Sequence, residues 1–170
     1  MEKKSLLVDI DLCYGCFSCE VACKQEHNLP AGENWIRISK VGPTKVGGKL
    51  RMSFAAARCR HCGKPSCIKA CPAGAIAKRS DGIVLFNESL CTGCKACLEA
   101  CPFGAPQYHA EKQIVRTCNL CVERIDRGLK PSCVHHCPTH ALYFGDCNRF
   151  ASQRDGKGDS RPPGFLGLSK

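Results

Sequence analysis

Sixteen of the chain's seventeen cysteines fall into four groups of four, and that grid sets the chemistry open to the protein. Cys13, Cys16, Cys19 and Cys23 follow C-x2-C-x2-C-x3-C. Cys59, Cys62, Cys67 and Cys71 follow C-x2-C-x4-C-x3-C-P, and Cys91, Cys94, Cys97 and Cys101 follow C-x2-C-x2-C-x3-C-P. Cys118, Cys121, Cys133 and Cys137 follow C-x2-C-x11-C-x3-C-P. Thiolates are soft ligands that suit zinc or iron–sulfur clusters, so each group is a candidate metal site.

The third group reproduces the bacterial ferredoxin run, in which three close thiolates hold three corners of one [4Fe–4S] cubane and the fourth cysteine reaches the neighbouring cluster. Pro72, Pro102 and Pro138 follow the last cysteine of three groups, whereas Lys24 stands there in the first. Disulfides compete with this reading, but the cysteine count is odd and no secretory signal is visible at the N-terminus. Zinc is a fairer rival for the fourth group, whose two cysteine pairs across a loop resemble a zinc ribbon. The C-x3-C-x2-C run of a radical enzyme is absent. Four repeats of one spacing logic favour four [4Fe–4S] clusters.

Because ligands are exchanged in pairs, the groups must pair. The second and third lie close together, so the first and fourth are left for each other. On this hypothesis Cys13, Cys16, Cys19 and Cys137 hold cluster 1, and Cys118, Cys121, Cys133 and Cys23 hold cluster 2. Cys59, Cys62, Cys67 and Cys101 hold cluster 3, and Cys91, Cys94, Cys97 and Cys71 hold cluster 4. The expected fold is α+β: two pseudo-symmetric bacterial 2[4Fe–4S] ferredoxin-like modules, one inserted into the other, with small β-hairpins and short helices. Residues 1–57 and 104–150 form the outer module, 58–103 the inserted module, and 151–170 an extended tail that lies on a partner.

The elements that must position the ligands are short. Residues 75–78 and 83–86 read as a hairpin across 79–82. Strands are expected at 6–10, 114–117 and 141–145, a hairpin at 35–41 and 49–56 across the Gly/Pro-rich 42–48, and a helix at each x3 step, for example 95–100. With aromatics at only 6%, cohesion must come from elsewhere, and without iron the chain is not expected to fold stably.

Composition narrows the function classes. Formal net charge is +10, but each oxidised cluster with its four thiolates contributes about −2, so four bring the protein to roughly +2. The basic residues therefore read as counter-charge, and no interleaved aromatic platform supports nucleic-acid binding. Arg58, Arg60, Lys64, Lys69, Lys95, Arg116 and Arg124 adjoin ligands and are candidates for raising cluster potentials. Sixteen thiolates leave no need for a histidine ligand, so His61, His135 and His136 read as satisfied or solvent-facing. Cys147 reads as a buried free thiol ahead of a redox role, and Trp35 either packs in the core, covers a cluster or meets a partner. No apolar run reaches the ~20 residues of a membrane span, and a cytoplasmic location is expected, with co-export on a signal-bearing partner left open.

The stretches CYGCFSCEVACKQEHNLP, CRHCGKPSCIKACPAGAI, CTGCKACLEACPFGAP and CNLCVERIDRGLKPSCVHHCPTHAL resemble the four-cluster ferredoxin-type subunits of molybdenum and tungsten pterin oxidoreductases, the dimethyl sulfoxide reductase-type family. Lys24 is usual in that family's first motif. The resemblance implies a non-catalytic electron conduit docked on a Mo- or W-pterin catalytic subunit, in some relatives with a flavin or membrane-anchor subunit at the other end. The short form is similar to the subunits serving tungsten aldehyde oxidoreductases, benzoyl-CoA reductases, or hydrogenase and formate dehydrogenase complexes. A free-standing soluble polyferredoxin is the alternative.

Overall fold

The computed structural model describes residues 3–146, so the expectations for Cys147 and the tail 151–170 lie outside the described residues. Four two-stranded antiparallel sheets and five short helices make an α+β chain among these residues. No helix among them is long and apolar enough to cross a membrane.

The first and last strands meet. β1 (Lys4–Val8) pairs with β8 (Leu142–Asp146) in the register Leu6↔Phe144, which brings the first and fourth cysteine groups together. Between them run α1 (Ser18–His27), β2 (Ile36–Val46), β3 (Lys49–Arg58), α2 (Ser66–Lys69), β4 (Ile76–Lys78) and β5 (Val84–Phe86). α3 (Ala96–Glu99), β6 (Gln107–His109), β7 (Ile114–Arg116), α4 (Val122–Ile125) and α5 (Ser132–His135) complete the order. Each x3 spacing sets two cysteines four residues apart, one above the other on a single helix face. Cys19 and Cys23 sit this way on α1, both buried.

The hairpin β4–β5 forms where the alternation of 75–78 and 83–86 places it. β2–β3 differs from expectation. Its strands run on through 42–46 past a register shift between Val41 and Thr44, and the chain reverses at Gly47–Gly48 instead of across all of 42–48. Glycine and proline there interrupt the ladder as a bulge without ending it. β6 is a strand the sequence did not announce, three residues paired with β7.

Two apolar cores result. The larger gathers Leu6, Leu142, Ala141, Trp35, Ile36, Leu120 and Val134, with Cys19, Cys23, Cys118, Cys133 and Cys137 among its fourteen buried residues. The smaller has only Ile76, Val84, Cys97 and Val115 fully buried. The strand reaching into both is 83–86, because alternate side chains of a strand point to opposite faces. Ile83 and Leu85 enter the larger core, while Val84 and Phe86 enter the smaller.

Candidate metal centres

Each cysteine loop opens on the same backbone turn. The residue before the second cysteine has a positive φ in all four: Gly15 at 74°, His61 at 48°, Gly93 at 69° and Leu120 at 57°. A left-handed residue here curls the chain so that successive N–H groups face the enclosed sulfurs, a concavity suited to negative charge. At Gly93 a β-carbon would collide with the Gln113 carbonyl, and at Gly15 with the Phe54 ring. His61 and Leu120 bear the left-handed cost because both are anchored. His61 Nδ1 accepts from the Val84 amide at 3.0 Å, and Leu120 is 1% exposed.

The helices then meet in two equivalent pairs. α1 packs on α5, and Ser132 Oγ donates to the Ala22 carbonyl at 3.3 Å. α2 packs on α3, and Ser66 Oγ donates to the Ala100 carbonyl at 2.7 Å. Both serines stand in the sequence Lys-Pro-Ser-Cys, at 64–67 and 130–133, and both acceptors immediately precede the last cysteine of the partner group. An internal repeat is thus visible in the staples as well as in the thiols.

The thiols raise one another's resistance to ionisation, both within and between the cysteine groups. Cys23 is pushed up first by burial and then by Cys118, Cys133 and Cys121. Cys97 is pushed up to about 11 by burial, with Cys91, Cys71 and Cys94 adding to the rise. Cys67 is raised by burial, then by Cys101 and Cys62. Cys19 rises to about 12 through burial, then Glu20, Cys13 and Cys16. Tyr14, whose phenol bonds to Cys16 and is raised mainly by it, also feels the charge of Cys137. Among the described cysteines none forms a disulfide.

Crowded, buried thiols resist becoming thiolates, because each charge is desolvated and repelled by its neighbours. A cationic iron–sulfur core removes that penalty, and the sulfurs already receive backbone donors. Ala75 N–H bonds Cys71 Sγ at 3.3 Å, Val115 N–H bonds Cys91 Sγ at 3.4 Å, and Ser132 N–H bonds Cys121 Sγ at 3.4 Å. Among the described residues no three His, Cys, Asp or Glu side chains converge on a point that a single metal ion could occupy. Zinc would need its sulfurs all about 2.3 Å from one centre, whereas a cubane gives each thiolate its own iron corner. The donor set fits clusters.

Both models of the 4Fe-4S dicluster domain that match the chain cover cysteine groups, one over residues 50–147 and the other over residues 12–75. The chain belongs to the 4Fe-4S dicluster family. This dicluster protein is 38% identical over 156 residues to the B chain of the anaerobic dimethyl sulfoxide reductase of Haemophilus influenzae, covering 85% of this chain and 74% of that one. It is 39% identical over 149 residues to the Escherichia coli protein of that name, covering 81% and 71%. Against the nitrate-inducible formate dehydrogenase iron-sulfur subunit of E. coli it is 36% identical over 156 residues, covering 82% of this chain and 53% of that one. The dicluster protein is thus a non-catalytic, iron–sulfur electron-transfer chain that binds [4Fe–4S] clusters.

A bound cluster takes up or gives up one electron. The protein's own residues hold it, exclude water and set its surroundings. His27 Nε2 lies 3.3 Å from Cys121 Sγ, and the tautomer with its proton on Nε2 donates to a thiolate there, since a thiolate has no proton to give. Trp35 is 5% exposed, its ring centre 4.6 Å from that of His27 and its Nε1 donating to Glu33 Oε1 at 2.8 Å. It therefore packs in the core and also backs the histidine that touches a ligand. Nothing in the sequence singled out His27, because its partner lies 94 residues away. Lys24 explains the missing proline: its Nζ donates to the Pro30 and Glu33 carbonyls and ties down the loop after α1.

Five of the seven cations beside cysteines, all but Lys64 and Lys69, divide by what they meet. Arg60 lies over the Phe103 ring and Lys95 over Tyr108. Arg116 pairs with Glu88, and Arg124 pairs with Glu26 while still lowering Cys121. Arg58 donates to the Cys59 carbonyl at 2.8 Å and feels the charges of Cys118, Cys133 and Cys59. Lys78, not among the seven, donates to the Cys62 and Gly63 carbonyls and so pins the second loop.

Proposed function

We propose that this chain is the wiring subunit of a larger pterin-dependent oxidoreductase, carrying four [4Fe–4S] clusters in the cytoplasm and passing single electrons between a molybdenum or tungsten catalytic subunit and an external donor or acceptor. The clusters are held by Cys13, Cys16, Cys19 and Cys137; by Cys118, Cys121, Cys133 and Cys23; by Cys59, Cys62, Cys67 and Cys101; and by Cys91, Cys94, Cys97 and Cys71. One ferredoxin-like module, 58–103, is inserted into another made of 1–57 and 104–150.

The observation that carries this reading is the repeated helix pair, α1 with α5 and α2 with α3, each closed by a serine-to-carbonyl bond. The family models run linearly along the chain, but the β1–β8 pairing and the mutual influence of Cys23 with Cys118, Cys121 and Cys133 support the nested order. The relatives named as subunits of dimethyl sulfoxide reductase and formate dehydrogenase support the partner class.

The test is anaerobic purification from the native host, with iron, sulfide, molybdenum and tungsten counted on one sample. About sixteen iron per chain with a co-eluting molybdenum or tungsten subunit is the expected result. Sixteen iron without a partner would make the chain a free carrier, and about twelve with zinc would remove the fourth group from the wire.

A further inference from the structure

We propose that Arg58 is a fixed positive charge at the meeting point of two cysteine quartets, raising the reduction potentials of both clusters held there. The inference rests on the four-cluster reading above. Arg58 ends β3, opposite the buried Ile36, and immediately precedes Cys59. One guanidinium nitrogen donates to the Cys59 carbonyl at 2.8 Å, which turns the head group back along the second cysteine loop. Its Nε is shut away from water and makes no hydrogen bond among the described residues. Cys59 in turn packs against the larger core, which contains Cys118 and Cys133.

Charge supports the same placement. Cys59 packs on the core that holds Cys118 and Cys133, and the charges of Cys118, Cys133 and Cys59 act on the guanidinium from that side. No described carboxylate neutralises Arg58, in contrast to Arg116 and Arg124, which pair with Glu88 and Glu26. A buried cation is costly unless matched by negative charge. The matching charge here is that of the thiolates and the clusters they hold. Adding an electron makes a cluster more negative, and a nearby cation in a low-dielectric setting favours that state. The quartet of Cys23, Cys118, Cys121 and Cys133 is the one with all four thiols buried, and burial alone would oppose its reduction. Arg58 offsets that opposition where an electron crosses between quartets.

The test compares the parent, Arg58→Gln and Arg58→Lys as full-length, anaerobically purified holoproteins. Iron and sulfide are counted, and midpoint potentials are measured by titration followed by electron paramagnetic resonance. Arg58→Gln is expected to keep its iron and to shift two midpoints to more negative values, the others staying put. Arg58→Lys, which keeps the charge, is expected to leave all midpoints near the parent's. Full iron with unchanged midpoints in Arg58→Gln would overturn the proposal. Should Arg58→Gln lose iron, full loading of Arg58→Lys supports a charge role, and equal loss in both variants overturns it. A parent without iron–sulfur signals would instead bring down the cluster reading itself.

Discussion

Cys23, Cys118, Cys121 and Cys133, the proposed ligands of one cluster, are all buried, whereas Cys59, Cys62, Cys67 and Cys101, the proposed ligands of another, are all only half-buried. The same devices build both: a left-handed residue inside each first loop, a Lys-Pro-Ser-Cys helix start and a serine-to-carbonyl staple. What differs is the cover. α1 has ten residues and continues into a loop tied by Lys24, with Trp35 and His27 closing over Cys121. The equivalent helix near Cys101 has four residues and no such continuation. Similar cysteine loops can therefore be set in surroundings of different polarity by changing the segment after the helix, and surroundings are what tune a cluster.

The sharpest way to break this comparison is to remove single ligands. Cysteines make up five of the fourteen buried residues of the larger core, so Cys23→Ala should lose a cluster and unfold much of the chain. Cys94, exposed at the rim, should cost a cluster in Cys94→Ala while far-UV circular dichroism stays close to the parent's. Chelating iron from the parent should abolish the folded signal altogether, as expected when ligation supplies folding free energy. Equal loss of structure in the two variants would mean that the burial of a cysteine does not set its structural weight.

The shared strand offers a second contrast. Ile83→Ala opens the larger core at a residue with no exposed surface, and is expected to cost about 2–5 kcal/mol. Val84→Ala removes less volume from the smaller core and should cost less, roughly 1–3 kcal/mol. Thermal melts of the holoproteins check the order, and a larger loss at Val84 would mean the smaller core carries the fold.

The staples are expected to differ next. Ser132 is 2% exposed and adds a second bond to the Ala22 carbonyl, which α1 already engages from within, so Ser132→Ala should cost about 0.5–1.5 kcal/mol. Ser66 bonds Ala100 in a more exposed setting, and Ser66→Ala should cost about 0.5–1 kcal/mol. Chemical denaturation under anaerobic conditions would reveal whether the order is reversed.

The smallest effect concerns the ion pair between the β4–β5 turn and α4. Arg79 meets Asp126 at 2.8 Å, and this hydrogen bond holds the Asp126 carboxyl below its ordinary value. A depressed carboxyl stabilises the fold above its unfolded pKa, near 3.9, and that contribution fades as pH falls through the folded value. Asp126→Asn should therefore be slightly less stable than the parent at pH 5 and converge with it at lower pH. The pair is solvent-exposed, so added salt should also shrink the difference. A gap that widens on acidification would assign the stabilisation to another group.

Some of this was legible in advance. The β4–β5 hairpin follows from alternation over four residues on each side of a turn, and the helix at 96–99 falls in the x3 step between Cys97 and Cys101 where it was expected. β2 ran longer than its glycines suggested because cross-strand bonding resumes after the bulge. β6 escaped notice because Gln107–His109 has no apolar alternation of its own and is defined by its partner β7.

By itself the amino-acid sequence determined the ligand type, the number of thiol groups and the loops that wrap them, since these depend on residues a few positions apart. Only the tertiary structure decided how deeply each thiol is buried, that His27 reaches Cys121, that Ser132 and Ser66 close equivalent helix pairs, and that the Nε of Arg58 is buried without a hydrogen bond among the described residues. Those properties depend on side chains brought together from distant positions, and desolvation and charge act through space, not along the chain.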